Sequence, residues 1–191
     1  MSKVKIGVFG SAFDPPTRGH LDVISQAAPY FDKILLVPSA SHAFAKTMQL
    51  FSHRLAMLDC FVTEAAIDSC DMEVCDLEYQ LLAETPDSAV YTYDLMDALE
   101  TYYGKTVELS FIRGPDNAVP EVWNRFYRAG DIEKRWKLFT AKERVQARSS
   151  QVRQAIAGGL LESRCENGCV LNSLLLPTVQ DYIQGKGLYQ S

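Results

Sequence analysis

The sequence has no long apolar run and no excess of positive charge. No window approaches the roughly 20 apolar residues of a membrane-spanning helix, and the opening MSKVKIGVFG lacks the apolar segment and cleavage site of a secretory signal. The 19 Lys and Arg residues are outnumbered by 24 Asp and Glu residues, which gives a formal net charge of -5. Binding nucleic acid regardless of its sequence requires clustered cations. A small-molecule partner is therefore favoured, and neither a nucleic-acid nor a membrane partner is expected.

The cysteines lack any metal-binding or redox pattern. There are 5 of them, none in a CxxC or zinc-type spacing, and an odd number cannot pair completely. We expect reduced thiols in a cytoplasmic protein. Histidine is scarce as well: among 3 histidines, His42 and His53 lie in polar segments without an acidic partner and are expected at the surface. The acidic run over residues 68–78 is expected to be a solvated face.

The common phosphate-binding motifs are absent too, because the loop GVFGSAFDPP contains neither GxGxxG nor a GK[ST] P-loop. Residues 3–24 nevertheless read as an apolar strand, a Gly/Ser loop, a Pro-Pro turn and a helix that opens around Gly19 and His20. Such a helix start leaves backbone N–H groups pointing beyond the sheet edge, which favours an anion. His20 adds a titratable donor there. This stretch therefore predicts a nucleotide phosphate site.

Apolar segments alternate with stretches of helical spacing along the chain. Strands are predicted at 4–9, 33–38, 72–77, 106–112 and 136–141. Helices are predicted from Gly19 to about residue 31, from an N-cap at Ser52, over 88–103, over 119–132, from Ser149 and Ser150, and near 175–187. This order is typical of an α/β doubly wound, Rossmann-like parallel sheet. A single domain over 1–191 is expected, with 149–191 as its helical C-terminal part.

A doubly wound sheet also predicts where the site lies. Ligands bind beyond the carboxyl ends of the strands, where the strand order reverses. The loops after the first, second and fourth predicted strands all open on that edge, and the last of these contains RGPDN. We expect these loops to form the binding site together.

Several motifs, in order, carry a resemblance to a known family. GVFGSAFDPPTRGH resembles the signature of the nucleotidylyltransferase superfamily, a phosphate-loop strand followed by (H/T)xGH, here residues 17–20. The segments RLAML, VYTYDLMDAL, FIRGPDN, EVW, RSSQVR and LLPTVQDYIQGKGLY are similar, in this order, to bacterial nicotinate mononucleotide adenylyltransferases. The resemblance implies transfer of an adenylyl group from ATP to the 5′-phosphate of nicotinate mononucleotide. It also implies that Mg2+ is carried by the triphosphate rather than held by a protein-built metal site.

Other readings of the same motifs stay open. Nicotinamide mononucleotide or phosphopantetheine are alternative acceptors, since pantetheine-phosphate adenylyltransferases share the first motif. A catalytically silent nucleotide-binding regulator on the same fold is an alternative of another class. The family's SSTxIR is RSSQVR here, so that Arg148 stands where the family has a serine. The sequence leaves the oligomeric state open, a homo-oligomer included.

The resemblance also assigns roles to single residues. His20 and Thr17 are expected to donate to the α-phosphate and the leaving pyrophosphate, with Arg153 as a further cation. Trp123 is expected either to stack on the pyridine ring of the acceptor or to belong to the core. The residues expected to bind ATP are Gly10, Ser11, Phe13, Gly19, Gly114, Asp116, Ser149 and Ser150. Those expected to bind the acceptor are Lys46, Thr92, Arg113 and Trp123.

Overall fold

The computed structural model describes residues 3–40, 48–85, 89–159 and 170–190. Within these ranges 5 parallel strands form one sheet in the order β3-β2-β1-β4-β5. The strands are β1 (Val4–Ser11), β2 (Lys33–Pro38), β3 (Asp71–Val74), β4 (Val107–Arg113) and β5 (Lys137–Thr140). The inner residues of β1, β2 and β4 form buried runs, as expected of strands that are covered on both faces. The predicted doubly wound parallel sheet is confirmed.

Helices cover the sheet. They are α1 (Arg18–Ala27), α2 (Phe51–Ala65), α3 (Leu77–Glu84), α4 (Thr92–Tyr103), α5 (Pro115–Ala118), α6 (Pro120–Trp123), α7 (Ala129–Arg135), α8 (Ser149–Ala157), α9 (Val170–Leu174) and α10 (Pro177–Lys186). Among the residues described, no helix combines the length and apolar character needed to cross a membrane.

The core has two parts, one on each face of the sheet. Side chains of a parallel strand alternate between the faces, so Phe9 of β1 joins one part while Val8 joins the other. The first part packs β1, β2 and β4 against α1, α2, α8, α9 and α10. The second packs the opposite faces of the same strands against α4, α6 and α7. The sheet is thereby held rigid between two helical layers.

The strand order opens a crevice at the carboxyl ends of the two central strands, β1 and β4. From β1 the chain moves outward to β2 and β3, and then returns to the other side of β1 to form β4 and β5. The loops that leave β1 and β4 therefore run to opposite faces, and a crevice opens between them. This is the edge at which the sequence predicts the site.

Some predicted boundaries are wrong. Ser52 lies inside α2, whose N-cap is Leu50, and α8 has Arg148 rather than a serine as its N-cap. The stretch predicted as one helix over 119–132 forms the shorter helices α6 and α7 instead, because Arg128 adopts a left-handed conformation (φ 56) between them. Helix α3 was not predicted, and its buried Glu78 contradicts a fully solvated acidic run. Residue 88, the predicted start of α4, lies outside the described residues.

Candidate active site

A cavity of about 370 Å³ lies beyond the carboxyl ends of β1 and β4. We call it the central cavity. Three segments line it: the end of β1 with the start of α1, the loop after β4, and the segment from residue 142 through the start of α8. The predicted residues that line it are Gly10, Ser11, Thr17, Gly19, His20, Gly114, Asp116, Ser149, Ser150 and Arg153. Residues distant in the sequence thus meet at one site, as expected for the predicted ATP site.

His20 is held in one tautomer. Its Nδ1 lies 2.9 Å from the backbone N–H of Thr17 and must accept that hydrogen bond, because an amide N–H can only donate. The neutral ring therefore carries its proton on Nε2, which lies 3.1 Å from Oγ of Ser11 at the cavity. The arrangement presents an N–H donor, rather than a base, at the end of β1.

Burial keeps His20 neutral. The imidazole packs against the rings of Phe13 and Phe9, with centroid separations of 4.9 and 6.1 Å. Desolvation lowers the pKa of His20 from 6.5 to about 4, since a charged ring is disfavoured in apolar surroundings. The hydrogen bond from Thr17 N–H acts in the same direction, because a protonated Nδ1 would face another donor. His20 can therefore donate from Nε2 at neutral pH while uncharged.

The start of α1 and the segment before α8 are in direct contact. Thr17 is fully buried, and its hydroxyl donates to the carbonyl oxygen of Ala147 at 2.7 Å. A Cβ atom added to Gly19 would lie 2.4 Å from that same carbonyl oxygen. Glycine is thus required at position 19 for this approach. Because the Thr17 hydroxyl proton is directed at Ala147, the geometry gives Thr17 a positioning part beside His20.

A second set of bonds fixes the loop that follows β1. Ser149 Oγ donates to the carbonyl oxygen of Pro15 at 2.7 Å, and Arg153 Nη1 donates to that of Asp14 at 2.6 Å. The carboxylate of Asp14, only 3% exposed, accepts a hydrogen bond of 2.6 Å from the hydroxyl of Tyr189. Helix α8 and the segment after α10 therefore hold this loop in place.

A buried arginine, Arg54, also holds the loop that follows β1. Arg54 is 1% exposed. Its Nη1 donates to the carbonyl oxygens of Ala12 and Ser39 at 2.9 and 2.8 Å, and its Nε donates to that of Gln49 at 3.1 Å. The loops after β1 and β2 are thereby tied to one side chain. The signal in the sequence for this support is the single arginine of RLAML, which is Arg54.

The start of α8 forms the far wall of the central cavity. Ser149 and Ser150 are its first two residues, and the backbone N–H groups of a first helical turn favour an anion. The side chain of Arg148, the N-cap, lies at the cavity and contacts two carboxylates. Its Nη1 is 2.8 Å from Asp116 Oδ1, and its Nη2 is 2.7 Å from Glu143 Oε1. The guanidinium of Arg148, its two carboxylate partners and the helix N–H groups therefore face the cavity together.

Four predicted residues do not line the central cavity. Phe13 is fully buried beneath His20 with a left-handed backbone (φ 46), and Thr92 is the first residue of α4. Arg113 donates to Thr140 Oγ1 from Nε and Nη2, at 3.1 and 2.9 Å. Trp123 is 4% exposed. Their expected roles remain predictions, as does that of Lys46, which lies outside the described residues.

Trp123 is packed on several sides. The guanidinium of Arg113 lies 4.6 Å from its ring centroid, and the ring of Phe111 is stacked 6.1 Å away. Its indole N–H donates to Glu133 Oε1 at 2.8 Å. In this structure Trp123 therefore has the contacts of a core residue.

A second cavity, of about 450 Å³, lies between the end of α3 and the start of α4. The exposed rings of Tyr91 and Tyr127 line it, 4.7 Å apart between centroids. Glu84 and Asp94 line it as well. The cavity thus offers aromatic faces beside Thr92, one of the residues expected to bind the acceptor.

Sequence reasoning missed several residues of the central cavity. Asp22, Lys142 and Glu143 line it without belonging to any motif. Asp22 Oδ1 accepts a hydrogen bond from Arg144 Nε at 3.1 Å, and the backbone N–H of Lys142 donates to Gln26 Oε1 at 3.0 Å. These contacts bring the segment between β5 and α8 against α1, and no local sequence pattern predicts them.

The fold and the site together define a class of protein. A parallel α/β sheet with a crevice at its switch point, a neutral histidine N–H donor and the N-terminus of α8 is suited to binding a nucleotide through its phosphates. The chain belongs to the cytidylyltransferase-like family, whose model matches residues 8–155. It is a nucleotidyltransferase.

Relatives and solved structures are similar over nearly the whole chain. A "Probable nicotinate-nucleotide adenylyltransferase" of Bacillus mycoides (strain KBAB4) is 29% identical over 98% of this chain and 99% of its own length. One of the same name from Streptococcus pyogenes serotype M18 is also 29% identical, covering 99% of this chain and 90% of its own. A crystal structure from Vibrio parahaemolyticus, provisionally named a nicotinate-nucleotide adenylyltransferase, has a TM-score of 0.77 at 29% identity and covers 98% of this chain and 96% of its own.

A more distant structure confirms the fold alone. It is the nicotinic acid mononucleotide adenylyltransferase of Plasmodium falciparum complexed with NaAD, with a TM-score of 0.73 and 17% identity, over 97% of each chain.

Proposed function

We propose that the chain transfers the adenylyl group of ATP to the 5′-phosphate of nicotinate mononucleotide, forming deamido-NAD and pyrophosphate. The observation that carries the proposal is the neutral His20, whose Nε2–H faces the same cavity as the first turn of α8. The names of the relatives, which match nearly from end to end, support this choice of nucleotide and acceptor.

The reaction requires positioning and charge stabilisation rather than a covalent nucleophile. A phosphate oxygen of the acceptor attacks the α-phosphorus of ATP. The bond from that phosphorus to the α,β-bridging oxygen breaks, and pyrophosphate leaves with the electron pair. We assign to His20 a hydrogen bond to the α-phosphate, where charge shifts in the transition state. Ser149, Ser150 and Arg153 would bind the departing phosphates.

The binding of the triphosphate follows from the same assignment. Gly10 and Ser11 form the end of β1 at the cavity. Among the described residues, apart from the chain neighbours of Gly10, the nearest atom to a Cβ built there is the carbonyl oxygen of Val37, at 4.0 Å. A phosphate can therefore approach the backbone there. We propose that Mg2+ enters with ATP. Among the described residues no group of three or more His, Cys, Asp or Glu side chains is placed to hold a metal ion.

For the acceptor we propose the region at the start of α4. Thr92 begins this helix, and the second cavity beside it carries the exposed rings of Tyr91 and Tyr127. A pyridine ring can stack on such aromatic faces. In this assignment Trp123 supports the site from the core, and Arg113 lies against it.

The proposal is tested by measuring pyrophosphate release with MgATP and, in separate reactions, nicotinate mononucleotide, nicotinamide mononucleotide and phosphopantetheine. Turnover is expected to be highest with nicotinate mononucleotide, with a product of the mass of deamido-NAD. CTP in place of ATP is the control for nucleotide selectivity and is expected to give little product. Absence of turnover with every acceptor would contradict adenylyl transfer, whereas preference for phosphopantetheine would replace only the acceptor.

A further inference from the structure

Arg148 links two sides of the central cavity. It precedes α8, and its guanidinium contacts Asp116 of α5 as well as Glu143 of the segment after β5. All three side chains line the cavity. The bridge therefore joins the loop after β4 to the segment before α8 at the mouth of the site.

Stability alone does not account for this bridge. The side chains of Arg148, Asp116 and Glu143 are 47, 64 and 34% exposed, and ion pairs with this exposure contribute little to stability. The charge at the cavity is a stronger reason for the bridge between Arg148 and the two carboxylates. Without the arginine, two adjacent carboxylates would face a ligand that itself carries several negative charges. With it, the three side chains carry a net charge of one negative unit instead of two.

We propose that Arg148 is a specificity-determining residue that adapts the central cavity to polyanionic nucleotides by neutralising Asp116 and Glu143. This inference rests on the proposed function, because it takes the triphosphate of ATP as the ligand. Arg148 acts on the charge of the cavity and on the placement of Asp116, not on the reacting atoms. Its effect therefore depends on the charge of the ligand, which a purely structural role would not produce.

The test is the dissociation constant of Arg148→Ser for ATP and for adenosine, compared with those of the unaltered protein. We expect the Kd for ATP to rise about tenfold at low ionic strength and the Kd for adenosine to stay within about twofold. The difference should shrink at about 0.5 M salt, where exposed charges are screened over a few Å. In turnover, KM for ATP should rise while kcat stays within about twofold.

A second substitution tests whether the uncompensated carboxylates cause the loss of affinity for ATP. In Arg148→Ser/Glu143→Gln one of the two uncompensated carboxylates is removed, so most of the lost affinity for ATP should return. Arg148→Lys, which keeps the positive charge, should bind ATP nearly as well as the unaltered protein. Arg135→Ser is the matched control, since Arg135 also pairs with two carboxylates, Asp97 and Glu100, each at 2.6 Å, and does not line the cavity.

The outcomes separate the two proposals. If the unaltered protein does not bind ATP, the proposed function fails. If it binds ATP, but Arg148→Ser binds it equally well or loses affinity for adenosine to the same degree, the role of Arg148 is overturned. Failure of Glu143→Gln to restore affinity in the double variant would also overturn it.

Discussion

A single backbone hydrogen bond decides what His20 can do. Thr17 N–H occupies Nδ1, so the proton of the neutral ring is on Nε2 at the cavity. General base chemistry at Nε2 would require the other tautomer, in which Nδ1 carries a proton against another donor. The residue is therefore suited to donate to a phosphate oxygen in its neutral form.

His20→Asn tests this role at the residue scale. The amide oxygen of asparagine can still accept from Thr17 N–H, but no donor reaches the position of Nε2. Loss of one transition-state donor is expected to lower kcat about 100-fold, while the Kd for ATP stays within about tenfold. His53→Asn is the control, because His53 contacts Tyr182 and lies outside the lining of the central cavity. An unchanged kcat in His20→Asn would contradict the assignment.

The pH dependence of unfolding gives the same variant a second readout. The pKa of His20 is lowered to about 4 in the folded protein, so between pH 4 and 6.5 the unfolded chain binds more protons at this residue. Its contribution to stability is therefore present above pH 6.5 and is lost as the pH falls towards 4. Between pH 7 and 5 the unaltered protein should lose about 2 kcal/mol more free energy of unfolding than His20→Asn. Parallel curves from urea titrations would contradict the low pKa.

At the scale of elements, the site depends on how closely α1 approaches the segment before α8. Gly19 allows this approach, since the carbonyl oxygen of Ala147 occupies the space of a Cβ atom. That oxygen also accepts the hydrogen bond of Thr17, which precedes α1. The two walls of the central cavity are thus set at a fixed separation by backbone contact.

Gly19→Ala should therefore force the two walls apart. With a Cβ only 2.4 Å from a backbone oxygen, the strain is expected to cost about 1–3 kcal/mol of unfolding free energy and to lower kcat/KM for ATP. Gly130→Ala is a matched control within α7, where a Cβ would meet no atom within 4 Å from other parts of the described structure. It should be neutral or stabilise by about 0.5–1 kcal/mol, because alanine favours the helix. Equal stability of the two variants, measured by urea unfolding, would rule out the strain.

The centre of the sheet could be predicted from the sequence because β1 and β2 are nearly continuous apolar runs such as KILLVP. Helix α3 could not, since the buried side of this short helix includes Glu78 rather than a row of apolar residues. The N-cap predicted at Ser52 is wrong for a related reason: the start of α2 is set by Arg54, which reaches into the fold to bond Gln49 and Ala12. Tertiary contacts override local preference at both places.

The same distinction applies to the site. His20, Gly19 and Ser149 stand in recognisable motifs, and the structure brings all three to the central cavity. Asp22 and Glu143 could not be predicted, because they reach the cavity through contacts with Arg144 and Arg148 across different elements.

At the scale of the whole molecule, the segment that follows α10 is bonded to the loop that follows β1. The hydroxyl of Tyr189 donates to the carboxylate of Asp14, and burial raises the pKa of that hydroxyl. Arg153 donates to the backbone of the same residue. The conformation of the loop that follows β1 therefore depends on a residue far along the chain.

Tyr189→Phe removes only this donor. The buried carboxylate of Asp14 would lose a partner at 2.6 Å, which is expected to cost about 1–3 kcal/mol of unfolding free energy. Tyr102→Phe, at a residue 79% exposed, should change stability by less than about 0.5 kcal/mol. A Tyr189→Phe protein that unfolds at the same urea concentration as Tyr102→Phe would show that the hydrogen bond contributes nothing.

The hydrogen bonds that shape the central cavity join residues far apart in sequence. Thr17 and Ala147 are separated by 130 positions, Pro15 and Ser149 by 134, and Asp14 and Tyr189 by 175. Closing such long loops is slow, so contacts of this kind form after local ones during folding. In refolding experiments the helices and the sheet around β1 and β2 are expected to appear before the ability to bind nucleotide. A folding intermediate with most of its secondary structure would then be unable to bind ATP.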